Sequence, residues 1–380
     1  MYRTLAVSGY RCLRDVVVPL GKVTVVTGRN GAGKSSLYRA LRLLAGCALD
    51  DTIGSLAREG GLDSVLWAGP ESLAGARRTG EVQGTVRSGP ISLRLGIGGD
   101  GYSYLIDLGL PQPSHSVFCR DPEIKREAVW AGPIMRSATL VARRKGARVE
   151  VRDEGPWQEL RFQLPSHRSM LADVPEARAL RDDLGAWRFY DALRTDLGAP
   201  ARQPSVGTRT WAMASDGSDV AAALQTIVER GKEPVDELID DAFPGSRFSV
   251  NASTGLFDVT LVQPGMLRPL ASAELSDGTL RYLMWIAALC APARPPLMAI
   301  NEPENSLHPS LIEPLARLIA HAAHDTQIVL VTHSGPLIEA LGAAVDTDDL
   351  STVELVKDLG ETLVEGQGLL TKPRWEWGKR

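Results

Sequence analysis

The chain has little cysteine, and the cysteines that it has lie far apart. Four occur among 380 residues, at Cys12, Cys47, Cys119 and Cys290, and no two of them form a Cys-x-x-Cys pair. Zinc fingers and disulfide frameworks need regularly spaced cysteines, so neither a zinc site nor a set of disulfides is expected. Reduced thiols in a cytoplasm are the simplest interpretation.

Long apolar runs, targeting signals and repeats are also missing. The longest apolar stretch, 282–293, is too short to span a bilayer. Residues 1–6 show no signal-peptide pattern, and neither an internal repeat nor a long heptad run occurs. We therefore expect a cytoplasmic protein that is not integral to a membrane and that carries no coiled-coil arm.

Neither sign of charge dominates the chain. It has 42 Lys and Arg against 46 Asp and Glu, a net charge of -4, so no overall basic excess indicates a nucleic-acid partner. A local basic patch would still be sufficient for one. Apolar residues make up 44% and charged residues 23%, which is the composition of a globular protein that can bury a core.

A strand, a glycine-rich turn and a helix follow one another near the start of the chain. Residues 1–27 alternate and then run apolar, which predicts a hairpin and a buried strand. The turn at 28–35 has the form G-x-x-x-x-G-K-[ST], and a helix with an apolar face at Leu37, Leu41 and Leu44 follows it. The glycines let backbone N–H groups turn toward phosphate oxygens, and the helix adds its positive N-terminal end.

This loop predicts a nucleoside triphosphate site. Lys34 is expected to reach the β- and γ-phosphates, and the Ser35 hydroxyl to ligate Mg²⁺. A chance glycine turn is the alternative, and the strand before and helix after argue against it. The predicted ATP-binding residues are Arg29, Asn30, Gly31, Ala32, Gly33, Lys34, Ser35 and Ser36.

Two later segments carry further candidate residues. Ser276, Asp277 and Gly278 stand at the start of a predicted helix, where a hydroxyl and free N–H groups favour an anion. Taken alone, this segment is more often an ordinary helix cap. The apolar run 297–300 ends in Asn301 and Glu302, which resembles a Walker B motif with an amide in place of its first carboxylate.

The substitution at Asn301 has a chemical consequence. An amide can hydrogen-bond a metal-bound water but supplies no negative charge, so slow hydrolysis is expected. Glu302 occupies the position of the catalytic base. In the next loop His308 is more simply explained as a helix cap before Pro309. After the apolar run 328–331, His333 follows Thr332, where a lone histidine is usually structural.

In this order the segments resemble an ABC-type ATPase head of the SMC, RecF and OLD-like class, close to the stand-alone bacterial AAA-family ATPases. The resemblance is carried by 28–36, 275–279, 297–304 and 332–333, with the opening 7–11 similar to the first strand of that class. It is weak in the middle, where Gln203 and Gln225 are only candidates for the Q-loop. A C-terminal Toprim-like nuclease domain is not expected, because fewer than about 50 residues follow His333.

The resemblance implies a fold and a mechanism. The fold class is α/β, a P-loop NTPase of ABC-ATPase type with a mixed sheet core, an antiparallel β subdomain and an inserted helical lobe. The subdomain would include strands at 91–97 and 102–108. The expected domains are 1–110 and 246–372 for the ATPase head, 111–245 for the inserted lobe, and 373–380 for a loose tail.

The apolar pattern also predicts single elements in the later part of the chain. A helix is expected from 176 to 193, a hairpin over 246–263, and short buried strands at 297–300 and 327–332.

The implied cofactors are ATP and Mg²⁺. The resemblance also implies a homodimer. In it, Ser276, Asp277 and Gly278 of one copy close over the γ-phosphate held by the other copy, which completes two composite sites. Glu302 would orient the water, Lys34 and His333 would contact the γ-phosphate, and Ser35 would ligate the metal, with Asn301 acting through a water. The change in dimer closure would be the output, in DNA repair, DNA maintenance or defence against phage.

Two basic clusters leave a DNA partner open. One lies in 120–148 and contains Arg143, Arg144 and Lys145, and the other includes Arg202 and Arg209 near aromatic residues. Cations could neutralise phosphates and aromatics could stack on bases. The alternative is a solvated hairpin turn and a helix whose aromatic residues belong to the core.

The sequence leaves three alternative functions. An ATP-gated switch that hardly hydrolyses and acts through a partner protein would fit Asn301. The motor subunit of a membrane transporter is less consistent with the long spacing between Gly33 and Ser276. A P-loop kinase does not explain the paired segments at 275–279 and 332–333.

Overall fold

The computed structural model describes residues 1–70, 72–79, 90, 92–113, 115–152, 155–253, 255–368 and 370–378. The strands, in chain order, are β1 (Tyr2–Tyr10), β2 (Leu13–Pro19), β3 (Val23–Gly28), β4 (Leu93–Gly99), β5 (Tyr102–Gly109), β6 (Glu123–Ala131), β7 (Leu140–Lys145), β8 (Arg148–Val151), β9 (Gln158–Glu159), β10 (Arg188–Tyr190), β11 (Ser205–Val206), β12 (Arg247–Ser253), β13 (Leu256–Val262), β14 (Leu270–Ala271), β15 (Leu297–Asn301), β16 (Gln327–Val331), β17 (Leu350–Asp358) and β18 (Glu361–Val364).

Helices alternate with these strands mainly in the second half of the chain. They are α1 (Lys34–Ala48), α2 (Thr52–Arg58), α3 (Leu62–Val65), α4 (Ala74–Thr79), α5 (Met170–Asp173), α6 (Arg178–Gly185), α7 (Val220–Arg230), α8 (Val235–Ala242), α9 (Asp277–Leu289), α10 (Ile312–Ala323) and α11 (Gly335–Ala344). Short 3-10 turns occur at Pro175–Ala177, Pro200–Arg202, Ser272–Glu274 and Pro309–Leu311.

The chain forms two compact units. The first consists of Met1–Trp187 and Ser351–Arg380, and the second of Arg188–Leu350. The structure therefore divides the chain differently from the predicted boundaries at 110/111 and 245/246. The segment 111–245 does not form a lobe of its own, because its strands β6–β9 extend a sheet of the first unit while β10 joins a sheet of the second.

An eight-stranded antiparallel sheet dominates the first unit. Its strand order is β2-β1-β4-β5-β6-β7-β8-β9, and β1 pairs with β2 in a register that places Val7 opposite Val16. The predicted opening hairpin is confirmed. The predicted pairing around Gly98 is also confirmed, with β4 against β5. Ile91, which was expected to begin that strand, lies outside the described residues.

A second group of strands in the first unit places the glycine loop. β3 lies beside β17, which pairs antiparallel with β18. Helix α1 begins directly after the loop and packs against α6 and α2. Its predicted apolar face is confirmed, since Leu37, Leu41 and Leu44 are fully buried. The loop is thus held between a buried strand and a buried helix.

The end of the chain is packed rather than loose. The indole ring of Trp375 lies 5.6 Å from that of Trp130 and covers the face of Gly96, where a Cβ would meet the indole at 2.0 Å. Trp377 stacks on Arg94, with the guanidinium carbon 4.9 Å from the ring centroid. The predicted loose tail at 373–380 is therefore wrong for residues up to 378, because tryptophan rings bury apolar area against the sheet. Residues 379 and 380 lie outside the described part.

The second unit has a parallel core. β10, β15 and β16 run parallel, with Ile300 opposite Leu330, and the predicted buried strands are confirmed. A smaller antiparallel sheet contains the predicted hairpin β12–β13, and β11 and β14 both pair with β13. The predicted helix from 176 to 193 is wrong, since α6 ends at Gly185 and 188–190 form β10. The apolar period of Leu180 and Leu184 stops there, and Tyr190 is buried in a strand.

Candidate functional site

The glycine loop contains two glycines in backbone conformations that no other residue could adopt at those positions. Gly28 has a φ of 139°, and a Cβ on it would meet the carbonyl oxygen of Leu355 at 2.3 Å. Gly33 has a φ of 111°, and a Cβ would meet the hydroxyl of Thr362 at 2.5 Å. Both positive φ and close approach exclude a side chain. The spacing G-x-x-x-x-G therefore reflects the geometry of the loop.

Lys34 lies beneath the loop that it is predicted to serve. Its side chain is buried, and Nζ donates to the carbonyl oxygens of Gly28 at 2.5 Å and Arg29 at 3.4 Å. Arg29 and Ser35 are exposed on the rim. The ammonium group is thus aimed at the loop interior, where the first N–H groups of α1 also lack partners within the helix.

A residue that sequence reasoning did not identify supports the loop from behind. Thr362 of β18 donates its hydroxyl hydrogen to the carbonyl oxygen of Ala32 at 2.7 Å, and its backbone N–H donates to Cys12 at 2.9 Å. Thr362 is 330 residues away in sequence from the loop that it contacts. No local motif marks it, because the contact depends on β18 lying next to β17.

The end of β15 in the second unit holds the candidate catalytic carboxylate in a strained backbone. Glu302 has a φ of 48°, a region that non-glycine residues rarely adopt. Its N–H donates to the carbonyl oxygen of Val331 at 2.7 Å, and Asn305 donates to its carboxylate at 2.9 Å. Such strain is retained where the surroundings determine the conformation, and it concentrates at functional sites.

Two carboxylates and the predicted histidine come together at this point. His333 Nδ1 lies 3.4 Å from Glu302 Oε1 and 3.7 Å from Glu304 Oε1. Glu304 Oε1 also accepts a hydrogen bond from the Thr332 hydroxyl at 2.5 Å. The parallel neighbours β15 and β16 end at the same edge, which brings residues 302–304 and 332–333 together.

Glu304 is the second residue that sequence reasoning left without a role. Its side chain is only 8% exposed, and its Oε2 atom has no hydrogen-bond partner among the described residues. A buried carboxylate oxygen without a partner is costly, so a cation or a donor from a ligand is expected to satisfy it. Asn301, three residues earlier, is half-buried at the end of β15.

The segment 276–278 begins α9, as predicted. The Ser276 hydroxyl oxygen accepts from the N–H of Thr279 at 3.2 Å and is the N-cap of the helix. Ser276 and Asp277 are exposed, whereas a Cβ on Gly278 would approach the carbonyl oxygen of Ser306 at 3.1 Å. The helix-cap interpretation of Ser276 is confirmed. His308 likewise caps the 3-10 turn at Pro309–Leu311, where its Nδ1 accepts from Ser310.

A buried guanidinium holds the segment that leads to Ser276. Arg202, whose side chain is 6% exposed, donates to the carbonyl oxygen of Leu275 at 2.7 Å and to the carboxylate of Asp277 at 2.6 Å. It also donates to the carbonyl oxygens of Ser272 and Ala273 at 3.3 Å. The residue that was counted in a basic surface cluster instead orients the exposed start of α9.

The family of the chain follows from a comparison with known protein families. A family model described as "AAA domain, putative AbiEii toxin, Type IV TA system" matches residues 23–339. The chain belongs to this family. The resemblance to ABC-type ATPases of the SMC and OLD-like class, inferred from the motifs, is confirmed. The α/β fold class, with an antiparallel sheet and a mixed sheet, is confirmed as well.

An OLD nuclease and two SMC heads are similar to this chain, over different lengths. An OLD nuclease of Thermus scotoductus is 46% identical over 46 residues, which are 12% of this chain and 9% of that protein. An SMC head, solved in complex with the C-winged helix domain of ScpA, is 13% identical with a TM-score of 0.51 over 97% of this chain and 98% of that one. The SMC head domain from Thermotoga maritima is also 13% identical, with a TM-score of 0.47 over 97% of this chain and 99% of that one.

In this AAA-family chain the basic clusters are largely neutralised. Arg144 is fully buried against Glu127 at 2.9 Å, and Arg143 pairs with Glu150 at 2.6 Å. Other members of the two clusters also form ion pairs, namely Arg120 with Asp63, Lys125 with Glu123, Arg148 with Glu159, Arg194 with Asp196 and Arg209 with Glu229. The local charges therefore contribute little support for a DNA surface, because these seven cations already lie beside carboxylates.

The Q-loop candidates do not gain support from their surroundings. Gln225 lies on α7 and donates to Glu229 one turn later, at 3.0 Å. Gln203 is exposed directly after the 3-10 turn that carries Arg202.

Among the described residues of this family member, no helix is both long and apolar enough to cross a bilayer.

Proposed function

We propose that this chain binds ATP with Mg²⁺ and hydrolyses it, as an ATPase whose sites are completed when two copies close on each other. The observation that carries the proposal is the loop 28–35, with Lys34 buried beneath its glycine turn and Ser35 exposed at its rim. The positive φ values of Gly28 and Gly33 support this assignment, since they shape a cradle that a Cβ would fill.

The residues present also fit a divalent cation. The Ser35 hydroxyl would ligate Mg²⁺ and Asn301 would hydrogen-bond a water of its shell. The unpartnered oxygen of Glu304 offers the negative charge that Asn301 lacks. When bound, Mg²⁺ would neutralise charge on the β- and γ-phosphates.

Hydrolysis requires a base and a sensor near the γ-phosphate. We assign Glu302 as the group that orients and deprotonates water, and His333 as the residue that contacts the γ-phosphate. The exposed Ser276 and Asp277, with Gly278, would act on the nucleotide of a second copy, and the amides at the start of α9 would face the anion. The ATP-dependent closure of the dimer is the proposed output.

The DNA-linked part of the proposal has a separate basis. The 46-residue likeness to an OLD nuclease and the family description, which names a type IV TA system, both fit DNA maintenance or defence. The likeness to SMC heads supports the same ATPase fold.

The rate of ATP hydrolysis against protein concentration tests the dimeric ATPase. The rate per chain is expected to rise with concentration, because each site needs groups from two copies. Duplex DNA is expected to increase it further. A rate per chain that is constant over a hundredfold dilution series would contradict the shared sites, and a rate indifferent to DNA would remove the DNA-linked part alone.

Arg202 is proposed to position the segment that closes over ATP. We expect Arg202→Lys to lower kcat about 10- to 100-fold, since lysine cannot keep the several contacts that orient Leu275–Asp277. The ATP affinity of the single chain should stay unchanged, because Arg202 does not belong to the phosphate loop. Titration with a fluorescent ATP analogue and steady-state kinetics measure the two quantities.

The matched control for this prediction is Arg194→Lys, since Arg194 is exposed and pairs with the neighbouring Asp196. That variant should keep the wild-type kcat. A rise in KM at unchanged kcat in Arg202→Lys would contradict the positioning role. Thermal melting distinguishes a positioning defect from general loss of structure.

Asn301 favours a second candidate function, an ATP-gated switch with little hydrolysis. In that case the wild type binds ATP without measurable turnover, and we expect Asn301→Asp to raise kcat and to lower the Mg²⁺ concentration needed. One added carboxylate beside the cation is worth about 1.4 kcal/mol or more, a factor of about 10. The measurement is the ATPase rate across a Mg²⁺ titration.

The control is Asn251→Asp, which makes the same change on the exposed strand β12. This variant should behave as the wild type. Rapid wild-type turnover together with no gain in Asn301→Asp would exclude the switch.

A further inference from the structure

Three side chains with metal-binding atoms meet in the second unit, away from every motif described above in sequence. They are Glu233, before α8, Cys290, at the C-terminal cap of α9, and His321, in α10. Their ligand atoms all lie within 4.8 Å of one another. Because each side chain comes from a different element, a shared partner would connect all three.

The geometry is close to that of a metal centre. His321 Nε2 lies 2.7 Å from Glu233 Oε2. In a tetrahedral zinc site, ligand bonds of about 2.1 Å separate such nitrogen and oxygen atoms by roughly 3.4 Å. A small rotation of the His321 ring, whose side chain is 35% exposed, would open this distance.

The orientation of Glu233 is already determined. Its Oε1 atom accepts a hydrogen bond from Arg294 at 2.6 Å, which leaves Oε2 directed at His321. Arg294 in turn lies 3.9 Å from Asp325, so its own charge is shared between two carboxylates. Metal ligands in proteins are commonly held by such outer partners.

The ligand types select the class of cation. A thiol, an imidazole and a carboxylate suit Zn²⁺ or Co²⁺, whereas Mg²⁺ and Ca²⁺ prefer oxygen ligands alone. Burial, with the nearby charge of Glu233, raises the pKa of the Cys290 thiol to about 12, so the thiol keeps its proton until a cation displaces it.

A cavity of about 200 Å³ adjoins two of the three ligands. Glu233 and Cys290 form part of its wall, and Lys232, Arg294 and Asp325 form another part. Three protein ligands beside a cavity are the arrangement in which a tetrahedral ion keeps one position for water or a small anion.

We propose that Glu233, Cys290 and His321 form a binding site for a divalent transition-metal ion of the Zn²⁺ class, with one coordination position open to this cavity. The ion would tie the end of α9 to α10 and to the segment before α8. The three ligands are 57 and 31 residues apart in sequence, and no short motif contains such spacings. For this reason the sequence did not indicate a zinc site.

Cobalt titration of the full-length chain, after removal of metals with a chelator and without nucleotide, tests the proposal. We expect one Co²⁺ per chain, a sulfur-to-cobalt charge-transfer band, and loss of the band on addition of Zn²⁺. Cys290→Ser should abolish the band. Cys47→Ser removes the other buried thiol and should leave it unchanged.

His321→Gln and Glu233→Gln provide an independent measure if Cys290→Ser fails to fold. Each should weaken Co²⁺ binding at least about tenfold, as judged by competition with a chelator. No charge-transfer band in the wild type would overturn the proposal and leave Glu233, Arg294 and His321 as an ion-pair network. A band that persists in Cys290→Ser, or affinities unchanged in both Gln variants, would overturn it as well.

Discussion

Glu302→Gln is expected to lower the rate of ATP hydrolysis by a factor of about 10² to 10⁴ while leaving ATP binding intact. Glutamine keeps the size of the side chain and can still accept a hydrogen bond from Asn305, but it cannot take a proton from water. Because the backbone at this position is held at a φ of 48° by its neighbours, the change should leave the loop in place.

The choice of Glu302 over Glu304 as the base rests on their surroundings. Glu302 has a side chain that is 33% exposed and accessible to water, whereas Glu304 is 8% exposed and is bonded to Thr332. A base must reach the water that it deprotonates. The buried carboxylate is better placed to supply a fixed negative charge.

The variant should also trap an ATP-bound dimer, since hydrolysis is the step that reopens it. Light scattering after size-exclusion chromatography, with saturating ATP and Mg²⁺, measures the mass. Glu339→Gln, an exposed carboxylate on α11, is the matched control and should remain in the wild-type equilibrium. A Glu302→Gln protein that stays monomeric under these conditions would show that the composite-site model is wrong.

Lys34→Ala is expected to reduce the affinity for ATP by about 10² or more and to make hydrolysis undetectable. The ammonium group is buried under the loop and bonded to the carbonyl of Gly28, so no other side chain can replace its charge on the phosphates from the same place. The loop itself should persist, because Gly28, Gly33 and Thr362 define its shape.

Titration with a fluorescent ATP analogue measures this effect, and thermal melting checks the fold. Lys145→Ala is the control, since Lys145 lies exposed at the end of β7 in the same unit. It should bind ATP like the wild type. If Lys34→Ala bound ATP within threefold of the wild type, the nucleotide would not be held by this loop.

Much of the candidate site could be predicted because its pieces are local in sequence. The glycine loop needs positive φ at defined positions, and only glycine allows this without strain. The spacing of the glycines can therefore be recognised in the sequence. The start of α9 and the ends of β15 and β16 are likewise marked by short apolar runs followed by polar residues.

Contacts between distant segments could not be predicted in the same way. Arg202 was read as one member of a basic cluster, yet its side chain is buried against carbonyl oxygens of 272–275. Thr362 supports the loop from a strand near the end of the chain. Neither residue has a local pattern, because what it contacts is decided by the packing of strands and turns far apart in sequence.

The errors have the same origin. The helix predicted across 176–193 followed an apolar period that ends at Leu184. Residues 188–190 instead form a strand that pairs in parallel with β15. The tail, which mixes tryptophan and basic residues, was expected to be loose because the ends of a chain often are. Trp375 of the tail instead packs on the sheet, against Trp130 and Gly96.

The sequence by itself determined the family, the order of the motifs and the candidate nucleotide residues, because each is set by the conformational demands of a few consecutive residues. The tertiary structure decided the rest: which carboxylate is buried, which arginine orients the start of α9, and that Glu233, Cys290 and His321 meet. Such contacts arise when separate elements share one core. Burial then changes the hydrogen bonding and charge of a side chain, and the residue type alone does not show whether a side chain is buried.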